Sequence, residues 1–164
     1  MLGERLLPTE YASLLNRFYA VATEVLIRQD AIIDKLIGDE IMALFIPGIC
    51  GPDFRPRAAA AALSLLRAVG YGGSEGPWMP LGAAVNAGVT YVGNVGAEGV
   101  VDFTALGDTV NTAARLASNA AAGELLLSED VYQAVASLHP EAERRSFALR
   151  GKEMPFAARV LRAA

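Results

Sequence analysis

Asn111 and Arg115 stand four residues apart, so on a helix they project from one face, a single turn from each other. An arginine in that place offers a planar fork of N–H donors that stays charged when desolvated, which suits a phosphate. An amide one turn away suits a ribose hydroxyl. A second pair, Lys35 and Asp39, lies at a Gly-Asp turn, Gly38-Asp39. A carboxylate at a tight turn can reach a hard cation such as Mg²⁺, which takes one or two carboxylates together with substrate phosphates. Lys35 sits among Ile32, Ile33, Leu36 and Ile37, where an ammonium has to snorkel to water or find a partner. Each pair also has an ordinary reading: a solvated helix face for Asn111 and Arg115, a turn former for Asp39, an aggregation-blocking edge lysine for Lys35. Spacing alone leaves the two kinds of reading open.

Other chemistries are absent. No G-x-x-x-x-G-K-[ST] loop occurs, which argues against a P-loop NTPase, and Gly93, Gly96 and Gly99 fit a strand end and turn better than a dinucleotide fingerprint. The one cysteine, Cys50, has no partner within the chain, and the one histidine, His139, precedes Pro140 in a loop-like stretch. Both read as packing or surface residues. The net charge is −4 with no basic run, the wrong balance for coating a nucleic-acid duplex. The longest apolar run, Ala58 to Leu66, is too short to span a bilayer and is bracketed by Arg57 and Arg67. Glu4 and Arg5 stand where an export signal would begin, so the expectation is a soluble, cytoplasmic chain without a membrane span.

The elements that must position these residues follow from periodicity. At 164 residues the chain fits one domain, 1–164. A helix is predicted from Pro8 to Arg28, with Tyr11, Leu14, Leu15, Phe18, Ala22, Val25 and Leu26 at helical spacing. A β-hairpin follows, Ala31–Leu36 and Ile41–Phe45, turning at Gly38-Asp39. After a loop from Pro47 to Pro56, a second helix runs from Pro56 to Val69 with Ala59, Ala62, Leu63, Leu66 and Val69 inward. Strands Leu81–Ala87 and Thr90–Val95 join at Gly88, and a further strand covers Asp102–Leu106. A third helix starts with Asp108 as N-cap and stops by Gly123, packing through Val110, Ala113, Ala114, Ala117 and Ala121. A strand at Glu124–Leu127, a short helix from Ser128 and strands at Arg145–Leu149 and Phe156–Leu161 complete an α+β order with a mostly antiparallel sheet.

Taken together the segments DKLIGDEIMALF (Asp34–Phe45), AVNAGVTYVGNVG (Ala84–Gly96), DFTALGDTVNTAARLAS (Asp102–Ser118), GELLLSEDVY (Gly123–Tyr132) and LRGKEMPFAARVL (Leu149–Leu161) resemble the class III adenylate/guanylate cyclase catalytic domain. The third block is the most specific. The resemblance implies a ferredoxin-like cyclase fold with helices on one face of the sheet. It also implies conversion of ATP to 3′,5′-cyclic AMP and pyrophosphate in intracellular signalling. By the same resemblance Asp39 matches the second of two metal-binding aspartates for Mg²⁺ or Mn²⁺, and Lys35 matches the lysine that reads adenine. Thr104 stands at that lysine's partner position. Asn111 resembles the residue that orients the ribose, and Arg115 the one that stabilises charge on the α-phosphate. Arg150 falls where a phosphate-binding lysine is usual, with Lys152 close by. The site is expected at the interface of a homodimer, or of a heterodimer with another cyclase chain, with Asp39 of one chain facing Lys35, Thr104, Asn111 and Arg115 of the other.

One departure is expected to matter. Members of the family begin with a strand of the pattern F-x-D-x-x-G-x-T that carries the first metal aspartate, and Leu2–Leu6 resembles what normally follows it. The sequence therefore predicts a sheet lacking the usual first strand, a shortened N-terminus, and one metal aspartate instead of two. The alternative is a catalytically incompetent cyclase-homology module that binds nucleotide or a partner chain. A diguanylate-cyclase relative, suggested by Gly38-Asp39-Glu40, leaves Asn111 and Arg115 unexplained.

Overall fold

A computed structural model describes residues 6–97 and 99–163, so Leu2–Arg5 of the N-terminal stretch discussed above lie outside the described residues. The chain orders as α1 (Pro8–Ile27), β1 (Ile32–Ile37), β2 (Glu40–Leu44), α2 (Pro47–Cys50), α3 (Phe54–Ala68), β3 (Ala83–Val85), β4 (Tyr91–Ala97), β5 (Val100–Leu106), α4 (Asp108–Ala117), β6 (Glu124–Ser128), α5 (Glu129–Gln133), β7 (Glu143–Phe147) and β8 (Phe156–Arg162). The fold is α+β, and all strand pairs but one are antiparallel. Among the described residues no strand precedes α1, and the strands form three separate sheets: β1-β2, β4-β5 and the four-stranded β3-β6-β8-β7. No helix of the described residues is long and apolar enough to cross a membrane.

The core explains the arrangement. β6 reads Glu-Leu-Leu-Leu-Ser, with no polar residue to turn outward between its leucines, and all five residues are buried. Its side chains alternate between faces. Leu125 and Leu127 pack with Ala59, Ala62, Leu63 and Leu66 of α3 and with Val131 and Tyr132 of α5. Leu126 points the other way, into a cluster with Leu116 of α4, Phe147, Leu149, Ala158 and Val160. Helices thus cover both faces of this sheet, not one as expected. An unbroken leucine run is what a strand covered on both sides requires. A third cluster joins α1 to α3 through Phe18, Ala22, Leu26, Ala61, Leu65 and Val69, and Ile33, Ile41 and Ala43 of the hairpin pack against it. Fully burying a Leu or Phe side chain is worth roughly 1.5–3 kcal/mol, so these three clusters hold α1, α3, α4 and the hairpin in place.

Three further expectations are corrected. Leu81–Ala87 and Thr90–Val95 do not form a hairpin through Gly88. β3 runs parallel to β6, whereas β4 pairs with β5. The connection is tied to the start of α4: Asn86 Nδ2 donates to the Thr109 carbonyl at 2.9 Å and Thr109 Oγ1 donates to the Val89 carbonyl at 2.8 Å, which separates the two strands. Asp108 is not the N-cap of α4; Gly107 occupies that place and Asp108 begins the first turn. Finally α4 packs through Thr112 and Leu116, while Ala114 and Ala121 are exposed. A leucine buries far more apolar area than an alanine, so Leu116 sets the rotation of the helix. Cys50 is buried, its thiol directed at the Ile46 carbonyl 3.2 Å away, consistent with a packing role.

At the start of β6 a buried carboxylate links acid to stability. Glu124, 5% exposed, accepts two hydrogen bonds from Arg145 (2.9 and 3.1 Å), one from Arg162 (2.7 Å) and one from the Ala121 amide (3.2 Å). The hydrogen bonds from Arg145 hold its carboxyl below the usual glutamate range against the opposing effect of burial, with Ala121 and Arg162 assisting. A carboxyl depressed in the folded state adds stability above its unfolded pKa, and that stability is lost as the pH falls through the folded value. Glu124→Gln is expected to destabilise the domain at neutral pH by about 1–3 kcal/mol and to flatten the acid limb of a Tm-against-pH profile. An acid limb as steep as the parent's would refute the assignment.

Candidate active site

Two clusters of charged side chains form where the fold brings distant segments together. The first lies between the β1-β2 hairpin and β5. The hairpin turns through two residues, Gly38 and Asp39, with Gly38 at φ +59°, a conformation glycine adopts without steric cost. The Tyr19 hydroxyl of α1 donates to the Gly38 carbonyl and fixes the turn to the helix. Between Ile33 and Lys35 the register shifts, leaving Asp34 as an unpaired bulge residue. Its carboxylate reaches β5, accepting from the Thr104 hydroxyl at 2.9 Å and from the Ala105 amide at 3.3 Å. The bulge re-aims the next residue, and the Lys35 ammonium meets the carboxylate of Asp102.

The second cluster lies between α4 and the loop joining β7 to β8. Asn111 is exposed, and Arg115, one turn on, is half-buried. The guanidinium of Arg115 lies over Gly151: a Cβ at that glycine would stand 3.4 Å from Nη1 and 3.7 Å from Nη2. Gly151 has φ +77°, so both its conformation and its missing side chain give the arginine room. Arg150 and Lys152 flank it; Arg150 is exposed, and the Lys152 ammonium pairs with Asp108 at the first turn of α4. A carboxylate at a helix start is favourably placed in the helix field, and here it also holds a loop lysine in place.

Of the residues picked out by sequence, Arg115, Arg150 and Lys152 are therefore neighbours, with Asn111 on the same helix. Lys35 stands at the other cluster. Thr104 is only 3% exposed, and its hydroxyl is committed to Asp34 and not turned toward solvent. Asp39 is exposed at the tip of the hairpin turn. Sequence reasoning gave no site role to Asp34, Asp102, Asp108 or Gly151. Asp102 was within reach of a parity argument, because residues i and i+2 on a strand share a face and Thr104 had already been noted. Asp34 depends on the bulge, which leaves no local signature. Among the described residues no three His, Cys, Asp or Glu side chains gather to cage a cation. Asp39, exposed at the hairpin tip, is the carboxylate among the residues picked out by sequence that fits a cation shared with nucleotide phosphates.

Residues 2–157 match the family model for the adenylate and guanylate cyclase catalytic domain. An uncharacterised protein of Mycobacterium tuberculosis is 35% identical over 151 residues, covering 87% of this chain and 27% of the relative. The terminal-differentiation-specific adenylate cyclase of Dictyostelium discoideum is 34% identical over 115 residues, 68% of this chain and 5% of that protein. The chain thus spans about a quarter or less of the length of these relatives. Among solved structures, the guanylyl cyclase Cya2 superposes with a TM-score of 0.78 at 25% identity, covering 99% of this chain and 85% of its own. The adenylyl cyclase CyaB from P. aeruginosa gives 0.77 at 26% identity, with 99% and 88% coverage.

Proposed function

The chain belongs to the adenylate and guanylate cyclase catalytic-domain family, and on that premise we propose that residues 1–164 are a single catalytic domain that converts ATP to 3′,5′-cyclic AMP and pyrophosphate. The observation that carries the proposal is the guanidinium of Arg115 lying over Gly151, whose neighbours in sequence are Arg150 and Lys152. Three cations on two converging segments suit a polyphosphate far better than they suit a solvated helix face. In the reaction the 3′-oxygen of the ribose loses its proton to solvent and bonds to the α-phosphorus, and the bond from that phosphorus to the oxygen bridging to the β-phosphate breaks, that oxygen leaving with the pyrophosphate. Asn111 orients the ribose, Arg115 meets charge as it develops on the α-phosphate, and Arg150 and Lys152 hold the departing pyrophosphate. Lys152 has to exchange Asp108 for a phosphate when the nucleotide binds. A divalent cation, Mg²⁺ or Mn²⁺, would neutralise phosphate charge with Asp39 as its protein ligand.

ATP is preferred to GTP in this reading because Lys35 can only donate, and adenine N1 is an acceptor where guanine N1 carries a hydrogen. The expected result is cyclic AMP formed from ATP faster than cyclic GTP from GTP, with Mg²⁺ or Mn²⁺ supplied. Turnover of GTP at least as fast as ATP would sink the base assignment. A second reading, a module that binds nucleotide or another cyclase chain without turnover, is favoured by the lack, among the described residues, of any three His, Cys, Asp or Glu side chains gathered to hold a cation. Saturable nucleotide binding with no cyclic product from either nucleotide, alone or mixed with an active cyclase chain, would select it.

A further inference from the structure

We infer that the connection between β3 and β4 braces the junction of β5 with α4, and that Asn86 and Thr109 are thereby positioning residues that aim Asn111 and Arg115. The inference rests on the function proposed above, in which those two side chains meet the ribose and the α-phosphate. β5 ends at Leu106 and α4 begins at Asp108, so a single residue, Gly107, joins them. Its φ of +144° is one that glycine adopts without steric cost. Beyond this pivot the buried residues of α4 are Thr112 and Leu116, so the first turn of the helix carries no buried side chain to fix its direction.

Three polar side chains supply that anchor from both sides of the glycine. On the strand side Thr90 Oγ1 donates to the Leu106 carbonyl at 2.6 Å. On the helix side Asn86 Nδ2 donates to the Thr109 carbonyl at 2.9 Å, and Thr109 Oγ1 donates to the Val89 carbonyl at 2.8 Å. The approach is close: a Cβ at Gly88 would stand 2.6 Å from Thr109 Oγ1, and one at Gly107 would stand 3.2 Å from Thr90 Oγ1. Segment 86–90 is thus clamped to the last residue of β5 and to the second of α4, and it fixes the angle between the two elements. β5 is in turn tied to the β1-β2 hairpin, Thr104 to Asp34 and Asp102 to Lys35. The angle at Gly107 therefore sets the separation of Lys35 from Asn111 and Arg115, the span that one nucleotide bridges from base to α-phosphate. A misplacement of about 1 Å can cost roughly 10²-fold in rate, so hydrogen bonds that touch no substrate can govern turnover.

The test is steady-state kinetics with ATP and Mg²⁺ in a form of the domain with demonstrable turnover, with a melting curve on each variant. Thr109→Val keeps the shape of the side chain and removes its donor; it is expected to lower kcat about tenfold. Asn86→Ala is expected to do the same, and KM should stay within about twofold in both, because the aim of Arg115 matters chiefly in the transition state. Thr109→Ser retains the hydroxyl and is expected to keep kcat within about twofold of the parent. In an Arg115→Ala background Thr109→Val should lower kcat by less than about threefold more, since the group it misaims is already gone. Parental kcat in Thr109→Val would overturn the inference, as would an equal loss in Thr109→Ser. A further loss of about tenfold in the Arg115→Ala background, or a kcat that merely tracks the folded fraction, would show a structural role only and overturn it too. If no form of the domain turns over ATP, the cyclase reading itself falls, and this inference with it.

Discussion

Arg115→Ala is expected to lower kcat by about 10²–10³, the loss seen when one preorganised donor to developing charge is removed. KM should change little, because a group that acts on charge arising only in the transition state contributes little to ground-state binding. The structure gives the experiment a clean background. Leu116 and Thr112 make the packing contact of α4, and the Arg115 side chain leaves that core to lie over the bare backbone of Gly151. Its truncation should therefore move stability by no more than about 0.5 kcal/mol. The measurement belongs in a form of the domain with demonstrable turnover, with steady-state kinetics and a melting curve on the same preparation. Parental kcat in Arg115→Ala would end the catalytic reading of this helix face. A loss of turnover that merely tracks a loss of folded protein would end it too.

The second expected result concerns the dimer. If each site takes Asp39 from one chain and Lys35, Asn111 and Arg115 from the other, Asp39→Ala and Arg115→Ala are each nearly inactive alone. A mixed dimer of the two has one site with both defects and one with neither. Random mixing should then return about a quarter of the parental activity, half of the dimers each carrying one of two sites intact. A tenfold excess of either variant should suppress the recovery, because mixed dimers become scarce. No recovery in a heterodimer verified by differential tagging would place Asp39 and Arg115 in the same chain's site, or Asp39 outside it. The geometry within one chain motivates the test: Asp39 is exposed at the hairpin tip, whereas Arg115 lies over Gly151 in the β7–β8 loop.

These two experiments probe different halves of the site. Arg115 tests whether the cationic cluster does chemistry, and complementation tests how the hairpin carboxylate joins it. Likeness to both an adenylyl and a guanylyl cyclase leaves the base as a separate question. In the function proposed above that question belongs to Lys35, whose ammonium meets the Asp102 carboxylate.

Sequence by itself determined most of the elements and the shared face of Asn111 and Arg115. α1, α3 and the β1-β2 hairpin fall within about two residues of their predicted bounds, because helical stripes and a Gly-Asp turn are local signals. Asn111 and Arg115 share a face of α4 because four residues make about one turn wherever the helix packs. Tertiary structure decided what each side chain meets. The partners of Lys35 and Thr104 lie 67 and 70 residues away, and no spacing rule spans that separation. A bulge at Asp34, invisible to periodicity, turns one carboxylate inward to Thr104 and leaves Lys35 to Asp102. The rotation of α4 was settled by one leucine, and the second helical layer by Leu126 facing away from Leu125 and Leu127. Periodicity assigns a residue to a face, but what that face meets depends on which surfaces bury the most apolar area together, and that is a property of the assembled fold.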